Sequence, residues 1–339
     1  MKFLPIIFLI IYLINNFFFK KNLLLNYSGQ IHQIFTGIKK VPLTGGIFIL
    51  IFSSIILFKF DYLYVLFIFL IFLIGLLSDL NYITSVKIRF LIQLLIVSIF
   101  VYSLEIIIGS TRISYLDLIL TNKSFALIFT IFCLMIVING SNFIDGLNGL
   151  VLGYYISIFG ILIKLNLFDK LNFDSSLLIY FVSVLIYLYF LNIFNKLFLG
   201  DNGAYLLGIV FSILLIKIYQ LDQNFSPFFI VLLLWMPCFE NLFSIIRKFF
   251  YKISPTSPDN NHFHQLVFLF IKNSFKIKNG LANNFSSLII ILYNLIVFYL
   301  GSIDIFNTKY QMMLITVNIT IYLLVYKILF KYKHKKSAS

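Results

Sequence analysis

Acidic side chains are scarce in this 339-residue chain, with 12 Asp and Glu against 26 Lys and Arg, and all charged residues together make up 11% of it. Beside 61% hydrophobic residues, that scarcity excludes a water-soluble globule and points to a multi-pass helical membrane protein. Cysteine is almost missing too. Cys133 and Cys238 both lie inside apolar runs, which argues against a disulfide framework or a thiolate metal centre. There is no internal repeat and no stretch long and polar enough to form a soluble domain, so residues 1–339 read as one integral membrane unit.

Long apolar runs are abundant. Segments of the roughly 17–22 residues needed to cross a hydrocarbon core fall near 3–19, 43–58, 62–77, 88–108, 124–141, 149–165, 177–194, 204–219, 227–246, 284–302 and 310–330. The expected fold is all-α, with about 10–11 transmembrane helices. The first run is followed by "LINNFFFKK", where a cleaved signal would need small residues, so it reads as a span.

The basic residues orient the bundle. Lys20, Lys21, Lys39, Lys40, Lys87, Arg89, Lys196, Arg247, Lys248, Lys252, Lys272, Lys276 and Lys278 share one set of loops with the tail "KYKHKKSAS". By the positive-inside rule that side is cytoplasmic and the N-terminus is outside. The net charge of +14 suits anionic membrane lipids rather than nucleic acid.

Sorted on this topology, Asp61, Glu105, Asp117, Asp169, Asp174, Asp222 and Asp304 scatter over outer loops, while Asp79, Asp145, Asp201, Glu240 and Asp259 gather on the cytoplasmic side. Four of the five sit in unusual sequence: "GLLSDLN", "NGSNFIDGLNGL", "FLGDNGAY" and "SPDNNHFHQL". Asp79, Asp145 and Asp201 are carboxylates suited to a hard divalent ion, and Mg²⁺ uses one or two carboxylates plus substrate phosphate oxygens. His262 and His264, near Arg247, Lys248 and Lys252, suit phosphate contact or proton transfer. The combination points to phosphoryl transfer, which depends mostly on positioning and charge neutralisation. Residues 247–283 form the longest cytoplasmic loop, expected to contain a short amphipathic helix that carries the histidines to the site.

Five stretches in order, "KKVPLTGGI", "GLLSDLN", "NGSNFIDGLNGL", "FLGDNGAYLLG" and "SPTSPDNNHFHQL", resemble the motifs of the polyprenyl-phosphate N-acetylhexosamine-1-phosphate transferases. The resemblance implies Mg²⁺-dependent transfer of a sugar 1-phosphate from a UDP-sugar to undecaprenyl phosphate, with release of UMP, at a cytoplasmic-face active site in the inner (plasma) membrane. It implies Asp201 as principal Mg²⁺ ligand with Asp79 and Asp145 beside it, and Phe198 as an aromatic stacked on uracil. Asn142, Asp145 and Asn148 fall at nucleotide-site positions, His262 and His264 at the sugar-phosphate end. Lys40 and Arg247 are expected phosphate contacts, and Asp79, Asp201 and His264 the catalytic set. A homodimer is left open.

Two departures stand out. The family's usual Asp-Asp is Ser78-Asp79 here, and its second Asp in Asp-Gly-x-Asp-Gly is Asn148. The missing carboxylate at 78 has been assigned elsewhere to deprotonating the lipid phosphate. A phosphate monoester with a second pKa of about 6 is already largely dianionic at pH 7. His-Phe-His-Gln in place of three adjacent histidines favours a UDP-HexNAc donor, GlcNAc by default, for surface glycan synthesis. The competing reading is a lipid-linked glycan flippase or other polytopic transporter, whose polar residues belong near the bilayer midplane with repeat symmetry.

Overall fold

The computed structural model describes residues 3–26, 40–254, 257 and 260–337, with side chains as far as 335. Asp259, Lys39 and most of "SPTSPDN" lie outside the described residues. The helices in chain order are α1 (Leu4–Lys20), α2 (Gly45–Leu57), α3 (Tyr62–Asp79), α4 (Val86–Ser103), α5 (Ser114–Leu120), α6 (Lys123–Phe143), α7 (Leu150–Lys164) and α8 (Ser175–Ile193). They continue as α9 (Gly200–Leu221), α10 (Pro227–Leu233), α11 (Trp235–Phe250), α12 (Phe263–Phe275), α13 (Asn279–Gly301) and α14 (Thr308–Ser337).

Seven of these helices are long and apolar enough to cross a membrane, and α10 with α11 makes an eighth, bent by 72°. The protein is a polytopic helical membrane protein. The remaining three of the eleven expected spans coincide with the shorter apolar helices α1, α2 and α7, of 17, 13 and 15 residues. Hydrophobic run length finds where these helices lie and overstates how far they extend.

The break at Leu234 has a covalent cause. Pro237 has no N–H to give to the Leu233 carbonyl. The Tyr154 hydroxyl donates to that carbonyl instead, at 2.7 Å, so the carbonyl that Pro237 cannot serve is satisfied in an apolar interior.

Helix α9 is the axis of the bundle: 83% of its spanning window is buried, and it packs on α2, α3 and α6. Glycines permit that closeness. A Cβ at Gly75 of α3 would collide with the Asn202 backbone, and one at Gly46 of α2 with the Asn202 side chain and the Gly203 backbone nitrogen. Successive spans alternate in direction, so the C-terminal ends of α3, α6, α8 and α11 meet the N-terminal ends of α4, α7, α9 and α13. The described residues of the sequence motifs are therefore brought to one end of the bundle.

Replacing Gly75 with Ala is expected to cost about 1–3 kcal/mol through overpacking against backbone that cannot yield. Gly160→Ala, where a Cβ meets nothing within 4 Å, is expected to stay within about 0.5 kcal/mol. Thermal unfolding of both variants in detergent checks the contrast.

Candidate active site

The N-terminus of α9 sets the geometry. Its first backbone N–H groups have no partner within the helix, and Asp79, at the end of α3, supplies one from across the bundle. Asp79 Oδ1 accepts the Asp201 N–H at 2.9 Å and Oδ2 accepts the Asn202 N–H at 3.1 Å, with the Asn202 side-chain amide donating to Oδ2 as well. Gly200 makes this approach possible. Its φ is +70°, and a Cβ there would lie 2.6 Å from Asp79 Oδ2. Asp79 thus turns both oxygens to the helix it caps.

Asp201 follows in the first turn. Its Oδ2 accepts the Ser78 hydroxyl at 2.6 Å and forms an ion pair with Arg89, which also donates to Ser78. Arg89 lies in the first turn of α4, and its Nε is buried without a partner. The sequence reading counted Arg89 only as a topology charge. Arg89 gives Asp201 a charged partner beside Ser78.

Asp145 lies in the loop from α6 to α7, half-buried, and no donor among the described residues reaches its carboxylate. Burial, and secondarily the negative charge of Asp201, push its carboxyl up to about 8. Between roughly pH 4 and that value the folded state holds a proton that the unfolded chain has lost, so stability falls as pH rises through this window. A cation placed between Asp145 and Asp201 reverses the repulsion.

The neighbouring loops contribute amides. Asn148 accepts nothing as an acid would; its backbone N–H donates to Asn283 Oδ1 at 2.7 Å, and its side-chain amide donates to Asn195 and Asn284 at 3.0 and 3.3 Å. Asn142 lies 3.4 Å from the Tyr205 hydroxyl. Phe198 is half-buried in the α8–α9 connection, its backbone bonded to Pro42 and Gly45 at 2.9 and 3.1 Å. Lys40 is exposed where the chain approaches α2.

The histidine segment forms the far wall. The expected helix in the 247–283 loop is α12, and His262 and His264 stand at its start with parallel rings 5.8 Å apart. A Cβ at Gly146 would strike the His264 ring, so that glycine lets the histidine lie against the loop carrying Asp145. Arg247 is 7% exposed and bonds the Asn261 carbonyl and the Tyr326 hydroxyl. It ties the histidine segment to α14.

Three or more His, Cys, Asp or Glu side chains do not converge as an all-protein metal cage among the described residues. A Mg²⁺ ion needs no such cage, since it keeps waters and takes substrate oxygens. Asp145, without a donor, and Asp201 fit that requirement; Asp79, committed to α9, contributes by holding Asp201 in place.

Residues 62–219 match the family model described as glycosyl transferase family 4. The chain is 29% identical over 232 residues to the "Probable undecaprenyl-phosphate N-acetylglucosaminyl 1-phosphate transferase" of Bacillus subtilis, covering 67% of this chain and 61% of that protein. It is 27% identical over 230 residues to the "Undecaprenyl-phosphate alpha-N-acetylglucosaminyl 1-phosphate transferase" of Thermotoga maritima, covering 67% and 68%.

The match to glycosyl transferase family 4 thus covers just under half of the chain. The chain spans 61% of the length of the Bacillus subtilis relative. The family match contains Asp79, Arg89, Asn142, Asp145, Asn148, Phe198 and Asp201, while Lys40, Arg247, His262 and His264 lie beyond it.

Asp79 and Asp145 are expected to part company in stability. Asp79→Ala removes the cap of α9 and should cost about 1–2 kcal/mol. Asp145→Asn removes a repelled carboxylate and should preserve or raise stability at pH 7 while flattening its decline toward pH 8. Thermal unfolding in detergent without divalent cations, followed from pH 5 to 8, separates the two.

Proposed function

We propose that this protein transfers a sugar 1-phosphate, GlcNAc-1-phosphate by default, from a UDP-sugar to undecaprenyl phosphate at the cytoplasmic face of the plasma membrane, releasing UMP. The observation that carries the reading is the Asp145 carboxylate, left without a donor beside the capped and ion-paired Asp201. The names of the relatives supply the acceptor and the sugar, and the +14 net charge with the basic loops supplies the side.

In this reaction an oxygen of the lipid phosphate attacks the β-phosphorus of the donor. The bond from that phosphorus to the bridging oxygen breaks, and its electron pair leaves with UMP. The acceptor needs no protein base, because its phosphate is already largely dianionic at pH 7. Asp145 and Asp201 would hold Mg²⁺, which when bound neutralises charge on the diphosphate. Phe198 offers a ring face to uracil, and the amides of Asn148 and Asn142 offer hydrogen bonds to the nucleotide. His262 and His264 meet the charge that shifts onto the transferred group. Arg89, paired with Asp201, balances its charge in a partly buried setting. A boundary site serves both reactants, since the acceptor is held in the bilayer and the nucleotide sugar arrives from water.

The test is transfer of radiolabel from a panel of UDP-sugars to undecaprenyl phosphate in membranes containing the protein. Label should enter the lipid phase with UMP release, stop with EDTA, and fall at least about 10²-fold in Asp201→Asn. Near-normal turnover by an inserted, folded Asp201→Asn protein would contradict the reading.

A further inference from the structure

Glu240 is the acid that the reaction described above leaves unused. It lies in the second turn of α11, 1% exposed, and no other acidic side chain among the described residues is as buried. Burying a carboxylate within a membrane is costly unless partners meet it on every side. Glu240 Oε1 accepts the Phe263 N–H at 3.2 Å and lies 2.9 Å from His262 Nδ1, while Oε2 accepts the Tyr322 hydroxyl of α14.

An ionised carboxylate has no proton to give. The proton of the Glu240–His262 bond therefore sits on Nδ1, and Nε2 is the ring nitrogen left for a ligand. The Gln265 N–H also faces the His262 side chain as part of a capping box, but it is shared with the His262 carbonyl at 3.0 Å. The charge-assisted bond to Glu240 outweighs it. The ring held in this way lies 5.4 Å from that of Phe143, two residues before Asp145, and parallel to His264, which lies against Gly146. The charged and titratable groups around it are Glu240, His264, Tyr322 and, through the Asn261 carbonyl, Arg247.

We propose that Glu240 is a positioning residue, fixing His262 in its Nδ1–H form so that Nε2 serves the transferred phosphoryl group. This rests on the transferase reading given above.

The test is ¹⁵N NMR of the full protein in nanodiscs, labelled on its 4 histidines, with His262 assigned by its loss in His262→Gln. Neutral His262 is expected as the Nδ1–H tautomer in the wild type. Glu240→Gln should keep it, because the amide oxygen takes the place facing the Phe263 N–H, whereas Glu240→Leu should release the ring to Nε2–H. In transfer assays Glu240→Leu should lower kcat about 10- to 100-fold with KM for the UDP-sugar within about threefold, and Glu240→Gln should recover part of the rate. An Nε2–H tautomer in the wild type, or an unchanged tautomer in Glu240→Leu, would overturn the proposal. Should Glu240→Leu not fold, the tautomers of the wild type and Glu240→Gln decide it. A held Nδ1–H tautomer in a protein that transfers no sugar phosphate would instead count against the transferase reading alone.

Discussion

The site depends on one carboxylate from one helix closing the end of another. Asp79, at the last residue of α3, takes the free N–H groups at the start of α9, and α9 is the most enclosed helix in the bundle. A helix terminus left open in that position would place unsatisfied donors beside the membrane interior. With the cap in place, Asp201 is fixed one residue into the helix, where the positive end of the helix dipole also favours its charge. The glycines at 46, 75 and 200 follow from this, since the contact requires the backbones of α2, α3 and α9 to come closer than side chains allow.

Charge is then distributed unevenly. Asp79 is met by backbone donors, Asp201 by Arg89 and Ser78, and Glu240 by His262, Phe263 and Tyr322. Asp145 alone of these four acids has no donor among the described residues. In a partly buried setting that difference is what separates a structural carboxylate from one available to a cation and a phosphate. The α14 tyrosines complete the histidine side: Tyr322 reaches Glu240 and Tyr326 reaches Arg247, so the last helix holds the loop that carries His262.

Much of the fold was legible because a bilayer fixes the length of what crosses it, and all eleven apolar runs became helices. The shortness of α2 and α7 was hidden, since run length does not register where a helix gives way to a polar loop within apolar sequence. The gathering of Asp79, Asp145, Asp201 and the histidines at one end was also legible, because alternating spans carry loop motifs to a common side. The division of labour among them was not. That Asp79 caps α9, that Arg89 pairs with Asp201 across 112 residues, and that Tyr322 closes Glu240 across 82 are long-range pairings with no period in the sequence. Arg89 looked like a topology residue, and the tie that Arg247 makes to α14 has no sequence signal either.

The central claim is that Asp145 and Asp201 together take a divalent cation while Asp79 holds the scaffold. Crystals grown with Mn²⁺ and a UDP-sugar, measured at the manganese absorption edge, test it most directly. The account predicts an anomalous peak ligated by Asp145 and Asp201, with Asp79 still bonded to the N–H groups of α9. A peak ligated by Asp79 in place of Asp145, or none at saturating Mn²⁺ in crystals where the nucleotide is bound, would contradict it.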